Sequence, residues 1–432
     1  MTPSARLSAA IEVLGAIETE RRPAADILKS WGLAHRFAGS TDRAAIAGLV
    51  YDALRRHSSS FWLLGADTPR AAVLGMLKRE RGMTADAIAT LADGSKYAPA
   101  RLSDEERARL DTATLDGAPA HVAGDYPEWL DPHFARTFGG SRAEEGAALA
   151  SRAPLDLRVN ALKAVREDAQ EALADLAPQP TPWSPLGLRI ALAAHAKSPA
   201  VHAEPAFLKG LVEVQDEGSQ LAAFFSGAKP GEQVLDLCAG AGGKTLALAA
   251  MMENKGQLFA TDDDKRRLAP IHDRLARSGA RNVQVRTPKS IGTEIDDLKG
   301  RMDLVLIDAP CTGTGAWRRN PDAKWRMRPG ALEQRLKDQI EVLDRAVPLL
   351  KGGGRIAYIT CSVLGEENGG QVRAFLTRHP DFAAVPPGKV AGVLSDRTGV
   401  FREVALMSDE GLLMTPRRTG TDGFFVSVLR KS

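Results

Sequence analysis

Two of the three cysteines in this 432-residue chain stand just past the ends of short apolar runs. Cys311 closes Val305-Leu306-Ile307-Asp308-Ala309-Pro310-Cys311, and Cys361 closes Arg355-Ile356-Ala357-Tyr358-Ile359-Thr360-Cys361. Runs this short, bounded by turn residues, read as buried parallel strands. The carboxyl ends of such strands are where open α/β sheets place their chemistry. A thiolate there is a nucleophile that can carry a covalent intermediate. A lone cysteine is often only a small buried hydrophobe, but two placed alike suggest one shared task.

A glycine-rich loop, Asp236-Leu237-Cys238-Ala239-Gly240-Ala241-Gly242-Gly243-Lys244-Thr245, follows an earlier strand and opens a helix. Its glycines let the backbone approach a ligand, and the helix start offers free N–H groups. The dinucleotide fingerprint fails because residue 245 is Thr. The phosphate-loop pattern fails because residue 238 is Cys where a glycine belongs. Asp262, about 20 residues past Gly242, stands where an acid binds ribose hydroxyls in doubly wound folds. A ribose acid without a pyrophosphate fingerprint favours S-adenosylmethionine as cofactor, with Asp262 as a helix N-cap the plainer alternative. Cys238 serves small-residue packing in the loop at least as readily as it contacts a ligand.

The elements that must position these residues are strand-then-helix units from about Phe207 onward. Strands are expected at Val234–Leu237, Gln257–Asp262, Val283–Arg286, Leu304–Asp308, Arg355–Thr360 and Phe424–Leu429. Such alternation implies a doubly wound, mainly parallel sheet. Before it, Leu155–Val159 alternates like a strand and 168–176 suits a helix. The stretch to about residue 120 reads as all-helical, from the spacing of Leu7, Ala10, Ile11, Leu14 and Ile17, then Ile46, Leu49, Val50, Ala53 and Leu54, and the apolar run Ala71–Leu77. Gly, Pro and polar residues at 116–132 mark a boundary. Three cysteines without a C-x-x-C pair suggest neither a disulfide framework nor a metal site, and fit a reducing cytosol. Arg6, Glu12 and Glu18 argue against a signal peptide, and no apolar stretch is long enough for a membrane span. A net charge of +3 is too small for a wholly basic nucleic-acid binder, so any such contact must be local.

With these residues in place the chain resembles the Sun/Nop family of RNA cytosine-carbon-5 methyltransferases, in particular its RsmB-like members. The resemblance rests on the glycine-rich loop Asp236–Lys244, on Met302-Asp303 through Asp308-Ala309-Pro310-Cys311-Thr312-Gly313, and on Thr360-Cys361-Ser362 followed by Glu366-Glu367-Asn368. Val214–Gln220, Gly423-Phe424-Phe425-Val426 and Arg158-Val159-Asn160 are also similar. It covers residue 125 to the end, and Asp42-Arg43-Ala44 with Leu49-Val50-Tyr51 and Leu54-Arg55 resembles a NusB-like helical domain. It implies a class I S-adenosylmethionine-dependent methyltransferase fold at 206–432, a small RRM-like α+β extension at 125–205, and an all-α NusB-like RNA-binding domain at 1–120. It implies cofactor contacts from Cys238, Ala239, Gly240, Ala241, Gly242, Gly243, Lys244, Asp262 and Asp308, and catalysis by Cys361, Cys311 and Asp308. Two positions depart from the family. Ala241 replaces a proline, and Arg286-Thr287-Pro288-Lys289 replaces a Gly-Asp pair near the adenine, which leaves that acid unassigned.

Carbon 5 of cytosine is a poor nucleophile, and a thiolate adding at carbon 6 turns the ring into an enamine that can take the methyl group. A base must then remove the carbon-5 proton before the thiol leaves. A Pro-Cys pair favours Cys311 as attacker, whereas the family resemblance gives attack to Cys361 and release to Cys311. The expected product is 5-methylcytosine in 16S ribosomal RNA, made by a cytoplasmic monomer. Transfer RNA is an alternative substrate, and a catalytically silent ribosome-assembly or RNA-binding factor is an alternative role. The basic stretch Trp317–Arg328, with interleaved tryptophans, is expected to contact RNA.

Overall fold

Thr2 caps the first helix, Pro3–Glu20, by accepting from the N–H of Ala5, and Pro3 suits the first turn. One face of this helix buries Leu7, Ala10, Val13, Leu14 and Ile17. Helices Ser40–Arg55 and Pro69–Arg79 bury Ile46, Val50, Leu74 and Met76 in the same apolar core. The computed structural model describes residues 1–192, 198–288 and 293–432. Lys289, within the departing segment after the third parallel strand, lies outside the described residues.

Two compact units divide the chain. One comprises Met1–Arg152 together with Trp317–Arg328, and the other holds Ala153–Ala316 and Pro329–Ser432. The stretch 317–328, read above as an RNA-facing loop, is thus built into the helical unit. Trp317 is 1% exposed and stacks on Phe134, with ring centroids 5.9 Å apart. Lys324 is as deeply buried and donates to the carbonyls of Arg55 and Asp125 at 3.0 and 2.6 Å. Trp325 donates to Leu54 O at 2.7 Å. The physical reason for the difference is that an indole and an alkyl ammonium stem serve a core as well as they serve a base. Arg326 and Arg328 keep exposed side chains.

The second unit opens with an antiparallel sheet of β1 (Leu155–Val159), β2 (Gln179–Pro180), β3 (Gly187–Ile190) and β4 (Val212–Val214), in the order β2-β3-β1-β4. Asp216 then caps the helix Glu217–Phe225 and also accepts from the N–H of Asp422, which pins the helix start to the last strand's approach. The main sheet contains β5 (Gln233–Asp236), β6 (Gln257–Ala260), β7 (Val283–Val285), β8 (Met302–Asp308) and β9 (Leu350–Thr360), all parallel. β10 (Phe382–Ala384), β11 (Leu406–Ser408), β12 (Gly411–Met414) and β13 (Phe424–Lys431) add antiparallel pairs, with β13 against β9. The order is β11-β12-β13-β9-β8-β5-β6-β7, so the winding reverses between β5 and β8. Val234 and Leu235 of β5 and the run Leu304-Val305-Leu306-Ile307 of β8 are apolar and fully buried, as strands covered on two faces should be. No described helix is long and apolar enough to cross a membrane.

Candidate active site

The reversal between β5 and β8 leaves a crevice at the strands' carboxyl ends, the ligand position of doubly wound sheets. A cleft of about 360 Å3 lies there, and its lining includes Cys238, Asp262, Asp308, Pro310 and Arg345.

The glycine-rich loop leaves β5 at Asp236 and turns into the helix Gly243–Met251. Gly242 has φ +85°, and a Cβ there would lie 2.5 Å from the side chain of Ile271, so only glycine fits. Ala241, in the proline position, accepts from Arg274 Nη1 at 3.0 Å through its carbonyl, which holds the turn without a ring. Gly240 donates its N–H to Asp262 Oδ2 at 2.9 Å, and Asp264 donates to Asp262 Oδ1 at 3.0 Å. Asp262 therefore joins the loop to the end of β6 while lining the cleft. Asp236 is fully buried beneath the loop, and Thr245 Oγ1 donates to its Oδ2 at 2.7 Å. Burial pushes its carboxyl up to about 7, with the nearby negative charge of Asp308 adding to the rise and the Thr245 bond opposing it. Burial likewise raises the Cys238 thiol, and the carboxylates of Asp236, Asp262 and Asp308 raise it further. Cys238 is thus kept as a neutral thiol in the cleft wall.

Parallel pairing of β8 with β9 sets Asp308 opposite Ile359, so both chains leave the sheet side by side. Ala309 donates to Ile359 O at 2.8 Å and Gly315 to Cys361 O at 2.9 Å. The result brings Cys311 Sγ to 3.3 Å from Cys361 Sγ. The hydrogen bond to Cys361, then burial and the negative charge of the same neighbour, raise the Cys311 thiol well above its ordinary value. Asp308, at the end of β8, accepts from Lys244 Nζ at 2.7 Å. Lys244 is also 5.0 Å from the centre of the Phe424 ring, a cation–π contact that braces the ammonium. Among the residues expected from sequence, Asp308 lines the cleft with Lys244 bonded to it, and Cys311, which follows the cleft-lining Pro310, meets Cys361. Cys238 and Asp262 lie on its wall.

Glu367, the middle residue of the Glu366-Glu367-Asn368 motif, has a task that its sequence neighbours do not reveal. Glu367 is fully buried and accepts from Thr312 N at 2.8 Å, from the Thr312 hydroxyl, and from Gln339 Nε2 at 2.9 Å. Gln339 also donates to Pro310 O at 2.9 Å. The residues on either side of Cys311 are therefore both tied to one carboxylate. Asn368 does the same for the other thiol, accepting from Thr360 Oγ1 at 2.6 Å and donating to Ser362 O at 2.9 Å. Gly315 approaches Gly423 so closely that a Cβ on it would lie 2.1 Å from Gly423 O.

A glycine-rich loop at the switch point, two strand-end acids and a reversed final strand define a class I methyltransferase domain. Residues 225–430 match the family described as 16S rRNA methyltransferase RsmB/F. A ribosomal RNA small subunit methyltransferase B of Sodalis glossinidius is 33% identical over 344 residues, 77% of this chain and 69% of that protein. The counterpart in Salmonella arizonae is 36% identical over 266 residues, covering 61% of this chain and 60% of the relative. The crystal structure of PH0851 aligns with a TM-score of 0.73 and 25% identity, covering 100% of this chain and 99% of that one. The chain belongs to the RsmB/F family of S-adenosylmethionine-dependent RNA methyltransferases, within the Sun/Nop group.

The residues present fit that cofactor. The cleft is bordered by open backbone at Gly240, whose added Cβ would meet nothing closer than 3.6 Å. Asp262 and Asp308 both bring carboxylates to the lining of the cleft. Among the described residues no cluster of His, Cys, Asp and Glu could hold a metal ion.

Proposed function

We propose that this protein forms 5-methylcytosine in small-subunit ribosomal RNA through a covalent thioether on Cys361. The observation that carries the reading is the 3.3 Å approach of two thiols at adjacent strand ends, beside the cofactor cleft. Bound S-adenosylmethionine supplies an electrophilic methyl group. Cys361 adds as thiolate to carbon 6 of the cytosine, and the electron pair so released makes carbon 5 the nucleophile. Cys311, kept as a neutral thiol by its neighbour and by burial, is suited to proton work during release rather than to attack. The carbon-5 proton then passes to a water molecule acting as base, and the Cys361 sulfur leaves carbon 6 and is reprotonated by the neighbouring Cys311 thiol, which restores the aromatic ring. Asp308, held by Lys244, is placed to orient the ring or the cofactor during addition. The target base must leave its stack to reach thiols set this deep, and the helical unit would help dock the RNA in the cytoplasm.

The test is methyl transfer to 16S ribosomal RNA with bisulfite sequencing of the product. Cys361→Ala should abolish transfer. Cys311→Ala should accumulate an RNA–protein adduct that survives a denaturing gel. An adduct from Cys361→Ala instead would reverse the two roles, and transfer to an atom other than carbon 5 would overturn the reading.

A further inference from the structure

Cys311 and Cys361 lie just past the ends of β8 and β9, and the segments that carry them are laced together. The hydroxyls of Thr312 and Ser362 lie 3.3 Å apart, and those of Thr314 and Ser362 lie 3.1 Å apart. Val363 donates its N–H to Thr314 Oγ1 at 2.9 Å, and Gly315 donates to Cys361 O at 2.9 Å. Backbones held in this way bring the two sulfurs to 3.3 Å, and a further approach of about 1.3 Å makes a disulfide bond. Both side chains are only half-buried, so neither thiol is sealed from a small solute.

A reactive thiol that meets a peroxide alone climbs from sulfenic to sulfinic and sulfonic acid, which is irreversible. A second thiol in contact captures it at the first step as a disulfide. Cys311 stands where that second thiol must be. The bond to Cys361 is the largest cause of its raised titration, followed by burial and the negative charge of the same neighbour. Oxidation of Cys361 removes that charge and so eases ionisation of Cys311 when its sulfur is needed as a nucleophile.

We propose that Cys311 and Cys361 form a redox switch, in which a peroxide joins them as a disulfide that stops methyl transfer and a dithiol reopens it. The Cys361 thiolate attacks one peroxide oxygen and keeps it as sulfenic acid, while the other oxygen leaves as hydroxide and regains the proton that Cys361 had released. The Cys311 sulfur then displaces the sulfenic oxygen, which departs with the Cys311 proton as a second water. Two thiols are oxidised by two electrons, and one peroxide is reduced to two waters. The bond takes the nucleophile and its proton donor together. The loss of transfer rests on the function proposed above, whereas the bond rests on the geometry of the two sulfurs.

The experiment treats the reduced full chain with hydrogen peroxide and reads free thiols, the peptides released by proteolysis, and methyl transfer to 16S ribosomal RNA. The three free thiols should fall to one, at Cys238, and a peptide joining Cys311 to Cys361 should appear. Transfer should fall in proportion to the oxidised fraction and return with dithiothreitol. Cys311→Ser lacks the second thiol, so dimedone should trap its Cys361 as sulfenic acid. Retention of all three thiols, a bond that includes Cys238, or sulfinic acid at Cys361 without the joined peptide would overturn the switch and leave the function reading standing. A Cys311–Cys361 bond with full transfer would overturn the function reading and the switch with it.

Discussion

Glu367 and Thr312 are joined twice: the N–H and the hydroxyl of Thr312 both point to the Glu367 carboxylate. Because Thr312 directly follows Cys311, this pair fixes the backbone that aims one of the two thiols. Glu367→Gln keeps the volume and can still pair with the Thr312 hydroxyl through its amide, but it removes the negative charge from the bonds that Thr312 and Gln339 make to it. Methyl transfer should fall by about 10- to 100-fold, the worth of one or two charge-assisted hydrogen bonds, with little change in S-adenosylhomocysteine affinity. Single-turnover rates and calorimetry separate the two effects. A variant with wild-type rate would show that the clamp is dispensable.

Asp236 gives the cofactor loop a pH signature. Its folded carboxyl titrates at about 7 because burial opposes ionisation, whereas the unfolded chain keeps the usual value of 3.8. The folded state therefore holds the proton more tightly, and stability falls as pH rises from about 4 to about 7. Asp236→Asn carries no such proton. Melting temperatures of wild type and variant, taken across that range, should show the wild type losing ground steadily as pH rises. Parallel curves would contradict the assignment.

Lys244 is placed by its own helix start to serve Asp308. Lys244→Met keeps most of the side chain's length and removes the ammonium, which leaves Asp308 without its cation and the Phe424 ring without its cation–π contact. The rate of the methyl-transfer step should drop by about tenfold or more, since a charge-assisted bond is worth about 1.5–3 kcal/mol. RNA affinity measured by filter binding should stay near wild type. A loss confined to RNA affinity would instead place Lys244 on the substrate path.

The helical unit should respond to changes in a stretch far away in sequence. Trp317→Ala removes a buried ring from its core and should cost about 3–5 kcal/mol of stability, read by denaturant unfolding. Were Trp317 a stacking platform for RNA, the same change would weaken RNA binding and spare stability. Burial brings the Lys324 ammonium down from 10.5 to about 7, so the folded state releases its proton first. Stability attributable to it should rise between pH 7 and about 10, and Lys324→Met should abolish that slope.

Much of the catalytic sheet is legible because its strands are short, apolar and bounded by turn residues. The expected Gln257–Asp262, Val283–Arg286 and Leu304–Asp308 runs all contain or overlap the observed β6, β7 and β8. The β11–β12 hairpin carries no such contrast with its surroundings, and its pairing depends on a neighbour, β13, that local pattern cannot name. In the site, the thiols and the glycine loop stand out by residue type and position. Glu367 does not, because its task depends on Thr312 and Gln339, which only the folded sheet brings near. The burial of Trp317 and Lys324 is hidden in the sequence for a related reason. Aromatic and basic residues in alternation have the same composition whether they meet a nucleic acid or the interior of a helical unit.

The membership of Trp317–Arg328 in the helical unit sets an order of events during synthesis. As the chain emerges from its amino end, the first helices appear early, but the indole that stacks on Phe134 and the ammonium that meets Arg55 and Asp125 arrive only after β8 has been made. The helical unit stays unfinished until then, with buried acceptors unmet and a slot in its core open. Its completion is a long-range closure across most of the chain, which makes it slow by topology. Maturation of the amino-terminal unit is in this way timed by translation of the segment that carries Cys311.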